Sequence, residues 1–316
     1  MVERHRIDPR DLGADRRGQG RHEFRRTEPA DVFRRNVAVH EKLADTALRH
    51  LDAMTAFVRG LGDYALDDYA AAETEFLRAE RSWAGGDTQR AALHLMLGNT
   101  VGRAGTHRAG EAAGWFRRAL REAPAYGRAE LGLAEAVRVT ASCRPGDDGQ
   151  RESLREALDR YGAVLGARWS DGVAAVMARM KAHLGLGLTH QCLTRAGLAR
   201  ARAASDDQFR QVLSLQSSAP VDGGPRRQGL RRAAEAYAGR ALNSYVAGDV
   251  RGAARDYEAA LRVLRSVDAV RPSNVERELV FLRNLRSAYR ALGEGERMQD
   301  AERRTAQAEQ RLAAAR

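Results

Sequence analysis

The feature that most constrains the fold is a small–aromatic–small pattern that recurs along the chain. In four stretches an alanine precedes an aromatic residue by four positions, and a small or apolar residue follows three positions later. The aromatic residues are Phe76, Phe116, Tyr161 and Tyr257, and a weaker copy supplies Phe209. Residues at i, i+4 and i+7 share one face of an α-helix. The pattern therefore predicts helices that a neighbouring helix approaches closely.

The spacing of these rings predicts a series of helix pairs. Neighbouring rings are 40 to 48 residues apart, an interval typical of stacked helical units. The composition also favours helices over strands, because 7 prolines and 6% aromatic residues leave few strand signals. Candidate first helices, with leucine, glycine or alanine at their midpoints, are 56–65, 95–105, 129–139, 182–193 and 237–248, and 284–296 opens a last pair.

In these residues the chain resembles the tetratricopeptide repeat (TPR) family. That family pairs a first helix bearing Leu-Gly and an aromatic residue with a second helix bearing Ala, Phe or Tyr, then Ala, often closed by proline. The second copy has Leu97-Gly98, Ala112, Phe116, Ala119 and Pro124, and the fifth has Tyr245, Gly248-Asp249, Ala253, Tyr257 and Ala260. The resemblance covers about residues 50 to 310. It implies an all-α, right-handed α-solenoid of about five to six TPR-like helix pairs.

The period is longer than the roughly 34 residues usual for this family. Longer repeats of this kind resemble those of bacterial regulatory and adaptor TPR proteins, and helical repeats of the HEAT type are the structural alternative. Longer helices or loops must absorb the excess. The Gly, Pro, Ser and Asp content of 140–152 and 216–228 predicts two such loops.

Three segments follow from this pattern. Residues 1–36 mix arginine, aspartate, glycine and proline without apolar periodicity, which predicts a disordered, charged leader. Residues 37–300 form the predicted TPR-like repeat domain. The polar stretch 301–316 predicts a C-terminal capping helix.

The glycine-rich stretch 95–105 invites a phosphate-loop interpretation, which its residues do not support. A Walker-type loop requires Gly-Lys-Ser/Thr after a strand, and neither the lysine nor the strand signal is present. Glycine within a helix costs about 1 kcal/mol relative to alanine, so close helix packing should offset it. We expect Trp115 or Phe116 of the adjacent helix to fill the space.

No catalytic, metal or cofactor site is predicted. His183 and His190 are seven residues apart and do not form a metal spacing with Cys192. We find no Ser–His–Asp or Cys–His set. The sequence therefore predicts a protein that is not an enzyme.

Cysteine count and charge bear on compartment and partners. Cys143 and Cys192 are too few for a disulfide framework, and no signal peptide or membrane-spanning run is visible, so a reducing cytoplasm is the expected location. The net charge of +11 comes almost wholly from arginine, since Lys42 and Lys181 are the lysines. Because this charge is spread thinly, nucleic acid is a less favoured partner than protein.

The resemblance also indicates where a ligand binds. Concave walls of such solenoids are built mainly from first helices, and some TPR domains hold a terminal carboxylate with Lys, Asn and Arg. Asn99 matches the clamp asparagine, the lysine position is Leu95 here, and Arg103 is the candidate source of charge. In the last pair the candidates for the groove are Arg283, Asn284 and Arg290.

These features together predict a non-enzymatic scaffold or adaptor that binds a protein segment or peptide, of acidic character, in its concave groove. Two alternatives stay open at this point. One is a nucleic-acid-binding helical repeat protein, and the other is an accessory subunit of a biosynthetic or defence system.

Overall fold

The fold is described from a computed structural model. It describes residues 29–141, 143–147, 149–169, 172–198, 200–219, 222–267 and 271–314. Most of the predicted leader therefore lies outside the described residues. The chain divides into two compact units, residues 1–48 and 49–316. The repeat array belongs to the second unit.

The described residues form twelve α-helices in six consecutive pairs. They are α1 (Pro29–Ala65), α2 (Tyr69–Ser82), α3 (Asp87–Ala104), α4 (Ala109–Glu122), α5 (Gly127–Thr140), α6 (Gly149–Gly166), α7 (Gly172–Arg195), α8 (Arg202–Leu215), α9 (Gly223–Val246), α10 (Val250–Arg265), α11 (Pro272–Leu292) and α12 (Gly295–Ala314). From α2 onward each helix packs against the next one in the chain, and α3, α5, α7 and α9 also contact in series. The predicted all-α, TPR-like solenoid is confirmed.

Glycines of the first helices receive the aromatic rings of the second helices. A Cβ added to Gly98 of α3 would lie 2.6 Å from Cε1 of Phe116, and a Cβ on Gly132 of α5 would strike the same ring. Gly187 of α7 and Gly239 of α9 enclose Phe209 in the same way. The expectation that packing explains the glycines of 95–105 is confirmed, with Phe116 as the ring.

The long period is absorbed mainly by long helices. Helices α7 and α9 have 24 residues each, and α11 has 21. The predicted loop 216–228 is shorter than expected because α9 already begins at Gly223. Pro225 is tolerated there, since the first turn of a helix has no intrahelical partner for its N–H groups.

Helix boundaries at the two ends differ from the predicted segment boundaries. Helix α1 begins at Pro29, before the expected start of the repeat domain at residue 37. The last helix begins at Gly295 and pairs with α11 through buried Ala301, Thr305 and Ala308. A left-handed Gly293, with φ of 72°, ends α11 because glycine adopts this conformation without a Cβ clash.

One covalent cross-link was not expected from the sequence. Cys143, in the connection between α5 and α6, forms a disulfide with Cys192 of α7, and their Cα atoms are 4.9 Å apart. The sulfurs pack with Leu154 and Leu193 in a small apolar cluster. Two cysteines do not make a disulfide framework, but here they tie the third pair of helices to the fourth.

Within the described ranges, none of the helices has both the length and the apolar character that a membrane span requires.

Candidate functional site

A pocket of about 740 Å³ is the candidate site, and all six first helices contribute to its wall. The contributing helices are α1, α3, α5, α7, α9 and α11. The second helices contribute little to this wall; their aromatic rings serve the core instead. A volume between about 300 and 1,000 Å³ is typical of ligand pockets.

Each long first helix presents one face to the pocket. The lining residues of α7 are Lys181, Leu184, Gly185 and Leu188, and those of α9 are Gln228, Arg231, Arg232 and Glu235. Both sets follow the spacing i, i+3, i+4, i+7, which places side chains along one helical stripe. On α3 the pocket residues Asn99 and Arg103 are one turn apart.

The first and last pairs meet beside the pocket. Asp67 lies in the turn between α1 and α2 with a left-handed φ of 64°. Its Oδ2 is 3.2 Å from Nε of Arg271, which precedes α11. Arg271 also donates from Nη2 to the carbonyl oxygen of Ala65 at 3.3 Å. Tyr69 donates its hydroxyl to Oδ1 of Asp67 at 2.7 Å, which fixes the carboxylate.

Positive charge exceeds negative charge in the pocket wall. Six cationic side chains line it, namely Arg103, Lys181, Arg231, Arg232, Arg271 and Arg277, against three carboxylates, Asp67, Glu135 and Glu235. The carboxylates are already paired. Asp67 pairs with Arg271, Glu235 with Arg277 at 2.5 Å, and Glu135 with Arg138, which lies behind the wall. In the part of the chain that the structure describes, the other four cations form no salt bridge with these carboxylates.

Glu135 and Lys181 have strongly shifted acidities. Burial alone would raise the pKa of Glu135, but the charge and hydrogen bond of Arg138, with the nearby Lys181 and the Tyr161 hydroxyl, lower it to about 2. The pKa of Lys181 is lowered to about 8. Burial lowers it most, and the charges of Arg232 and Arg103 lower it further, whereas the charge of Glu135 raises it. Desolvation disfavours a charged amine, and nearby cations do the same.

The α9 arginines experience the same crowding. Burial lowers the pKa of Arg231, and the charges of Arg271, Arg277 and Arg103 lower it further. Burial lowers the pKa of Arg232 to about 10, with Glu235 opposing and Arg103 adding to the shift. Its Nη1 donates to the carbonyl oxygen of Met177 at 2.8 Å, which holds the side chain against α7.

The five predicted site residues fall into two groups. Asn99 and Arg103 both line the pocket. Arg283, Asn284 and Arg290 of α11 are exposed and are not among its lining residues. Arg283 donates to Glu309 of α12 at 3.0 Å, and Asn284 hydrogen-bonds with Tyr257.

Sequence reasoning did not identify Lys181, Arg231 or Arg232 as pocket residues. Gln228 was assigned to a loop and the neighbouring arginines carried no signal of their own. A usable signal was present, because polar side chains at i, i+3, i+4 and i+7 lie opposite the buried alanines of α9.

The histidines do not gather at the pocket. His183 hydrogen-bonds with Oε1 of Gln208 at 2.7 Å, and neither it nor His190 lines the wall. Among the described residues, no three His, Cys, Asp or Glu side chains are grouped closely enough to hold a metal ion.

No protein-family model matches this chain, and no curated protein matches it either. Solved structures of helical-repeat proteins are similar to it. A thermophilic TPR protein of Thermus thermophilus aligns over 66% of this chain and 90% of its own length, with 19% identity and a TM-score of 0.48. A Rap protein in complex with competence and sporulation factor aligns over 84% of this chain and 77% of its own, with 11% identity and a TM-score of 0.48. The chain is thus similar to TPR proteins at low identity.

Proposed function

We propose that this chain is a non-enzymatic binding module that holds a segment of a partner protein in the pocket of the first helices. The observation that carries the proposal is the composition of the pocket wall. First helices of all six pairs supply it, and its side chains include six cations, four of which form no salt bridge with the lining carboxylates among the residues that the structure describes. A wall of this charge selects a segment with acidic groups.

Asn99 and Arg103 are the proposed contacts on α3. An amide both donates and accepts, so Asn99 can hydrogen-bond with the backbone of an extended segment. The guanidinium of Arg103 can bind a carboxylate through two parallel hydrogen bonds. Both side chains line the pocket, whereas the adjacent Gly98 packs against Phe116. Arg103 also hydrogen-bonds with Tyr64 of α1. We expect the replacement of Asn99 and Arg103 to leave the packing of Phe116 on Gly98 intact.

A display library of linear peptides tests the proposal even though the partner is unidentified. Peptides selected on the wild-type chain are synthesised and titrated against the double variant Asn99→Ala/Arg103→Ala. We expect the selected peptides to be rich in Asp and Glu and to bind the double variant about tenfold or more weakly, since a hydrogen bond to a charged group contributes about 1.5–3 kcal/mol.

Arg262→Ala is the matched control, because Arg262 is an exposed arginine of α10 outside the pocket. It should bind the peptides as the wild type does. Equal binding by the double variant, with an unchanged thermal melt, would contradict the pocket as the binding site. Arg283, Asn284 and Arg290 stay a separate prediction, which a triple alanine variant tests with the same peptides.

A further inference from the structure

Four cationic side chains from three helices converge on the pocket without carboxylate partners. Arg103 of α3, Lys181 of α7, and Arg231 and Arg232 of α9 all line the wall. The salt bridges of the lining carboxylates go to Arg271, Arg277 and Arg138. Within the described part of the chain, none of the four cations forms a salt bridge with these carboxylates. Glu135 and Glu235 act on Lys181 and Arg232, but burial and the neighbouring cations outweigh them and lower both pKa values.

The four side chains are close enough to act on one another. Apart from burial, which lowers the pKa of Lys181, Arg231 and Arg232, the charge of Arg103 lowers each of these pKa values further. Arg103 is therefore the common neighbour of the other three. All four also line the same pocket, so one anion bound there is exposed to the charge of the whole group.

Arg231 also has an unused hydrogen-bond donor. Its Nε is buried and has no acceptor among the described residues. A buried donor without a partner destabilises the free protein, and a ligand oxygen that accepts from it removes that penalty. Asn99 and Gln228, which line the same wall, add amide donors. The site therefore combines excess positive charge with a buried donor that has no acceptor among the described residues and with amide donors in the same wall.

We propose that Arg103, Lys181, Arg231 and Arg232 bind a phosphoryl group, so that the ligand of this pocket is phosphorylated. A phosphoryl group carries about −1.5 to −2 charges and three strong acceptor oxygens, whereas a carboxylate carries one charge and two oxygens. Arginine forks match phosphate oxygens in pairs, and lysine binds them as a point charge. Four cations that line one pocket thus fit a dianion better than they fit one carboxylate. This inference rests on the proposed function in taking the pocket as the binding site.

Calorimetric titration of the full chain tests the site. The probes are inorganic phosphate, phenyl phosphate, and a phosphoserine peptide with its unphosphorylated twin, all at one ionic strength set with chloride. We expect inorganic phosphate to bind the wild type and Arg262→Gln equally. Its affinity should fall about tenfold or more in Lys181→Met and in Arg231→Gln, as expected for loss of one charge-assisted contact.

Folding of the variants is checked without phosphate. Removing one of four crowded cations relieves repulsion, so Lys181→Met and Arg231→Gln should melt at or above the wild-type temperature in chloride alone. Phosphate should then raise the melting temperature of the wild type and Arg262→Gln more than that of either pocket variant, because a ligand that binds only the folded state stabilises it. A pocket variant that melts lower in chloride and retains full phosphate stabilisation would overturn the proposal.

The peptide arms separate this inference from the proposed function. If the phosphopeptide binds more tightly than inorganic phosphate and than its unphosphorylated twin, the result supports both the phosphoryl site and the protein-segment function. Binding of phenyl phosphate with exclusion of the phosphopeptide supports the phosphoryl site and contradicts the protein-segment function. Binding of an acidic unphosphorylated peptide in a Lys181-dependent manner, with phosphate no better than chloride, overturns the phosphoryl site alone.

Discussion

The first helices have two faces, which differ in how completely other residues of the chain provide contacts for their side chains. On one face Gly98 and Gly132 enclose Phe116, so that shape is matched on both sides of the ring. On the other face Arg103 and Lys181 line the pocket without a salt bridge to its described carboxylates, and burial outweighs the charge of Glu135 at Lys181. The first face is complementary to the chain itself, and the second is the face that we propose binds a ligand. Side chains placed against their local physical preferences, where folding does not require it, are expected at functional sites.

The largest effect is expected on the ring-packing face. Phe116→Ala should reduce the free energy of unfolding by about 3–5 kcal/mol, the usual cost of removing a buried phenyl group and leaving a cavity. Urea unfolding followed by circular dichroism measures this loss. Ligand affinity of the fraction that stays folded should be close to that of the wild type.

Gly114→Ala is the control on the same helix. A Cβ at Gly114 would meet no heavy atom within 4 Å, so alanine should stabilise α4 by about 0.5–1 kcal/mol through its higher helix propensity. A loss of less than about 1 kcal/mol in Phe116→Ala, or a loss of stability in Gly114→Ala, would contradict the role assigned to the rings.

The disulfide has the next largest expected effect. It closes a segment with a sequence separation of 49, and removal of such a cross-link costs about 2–4 kcal/mol. Cys143→Ser/Cys192→Ser should unfold at lower urea concentration than the wild type, and reducing agent should shift only the wild-type curve. Coincident curves for the wild type with and without reductant would contradict this prediction.

The pH dependence of anion binding gives a smaller effect. Lys181 faces Glu135 and Arg138 of α5, Arg232 of α9 and Arg103 of α3, and its pKa is lowered to about 8. Below that pH the amine is charged in the free protein, so affinity for sulfate should be constant. Above it, binding must take up a proton, and affinity should fall by at most about tenfold per pH unit.

Sulfate is the appropriate probe because it does not titrate in this range. Calorimetry from about pH 7 to about pH 9.5 should show the decline in the wild type and a flat profile in Lys181→Met. A decline of equal size in the variant would assign the titration to another group.

The smallest effect on stability is expected at the contact between the first and last pairs. Asp67 and Arg271 are each more than a third exposed, and exposed ion pairs contribute about 0–1 kcal/mol. Asp67→Asn should therefore change the unfolding free energy by less than about 1 kcal/mol. It should nevertheless speed dissociation of a bound peptide, because the turn before α2 is no longer held at the pocket edge.

Asp207→Asn, which removes an exposed pair with Arg210 on α8, is the control for the dissociation rate. Surface plasmon resonance with a selected peptide compares the two variants. Equal dissociation rates would show that the Asp67–Arg271 contact does not retain the ligand.

The ring-packing face could be predicted from the sequence and the pocket could be predicted only in part. Ala112, Phe116 and Ala119 form a pattern within one helix, so local periodicity is enough to find it. The cations of the pocket come from α3, α7 and α9, and only the packing order of those helices brings them together. Asn99 and Arg103 were found because the TPR resemblance places them on a first helix.

Two other features show why the remainder was not predictable. The Cys143–Cys192 bond joins residues far apart in sequence, and no local spacing signals it. The start of α9 was assigned to a loop because Gly223, Gly224 and Pro225 are turn residues. A helix that is stabilised by packing along its later turns tolerates them at its N-terminus.

Covalent footprinting of arginine side chains, read by peptide mass mapping with and without a phosphopeptide ligand, tests the central claim most directly. If the ligand binds in the pocket, it should protect Arg103 and Arg231 from the reagent. Arg262 of α10 should stay as reactive as it is without the ligand. Protection of Arg262 with unchanged reactivity at Arg103 and Arg231 would contradict the account.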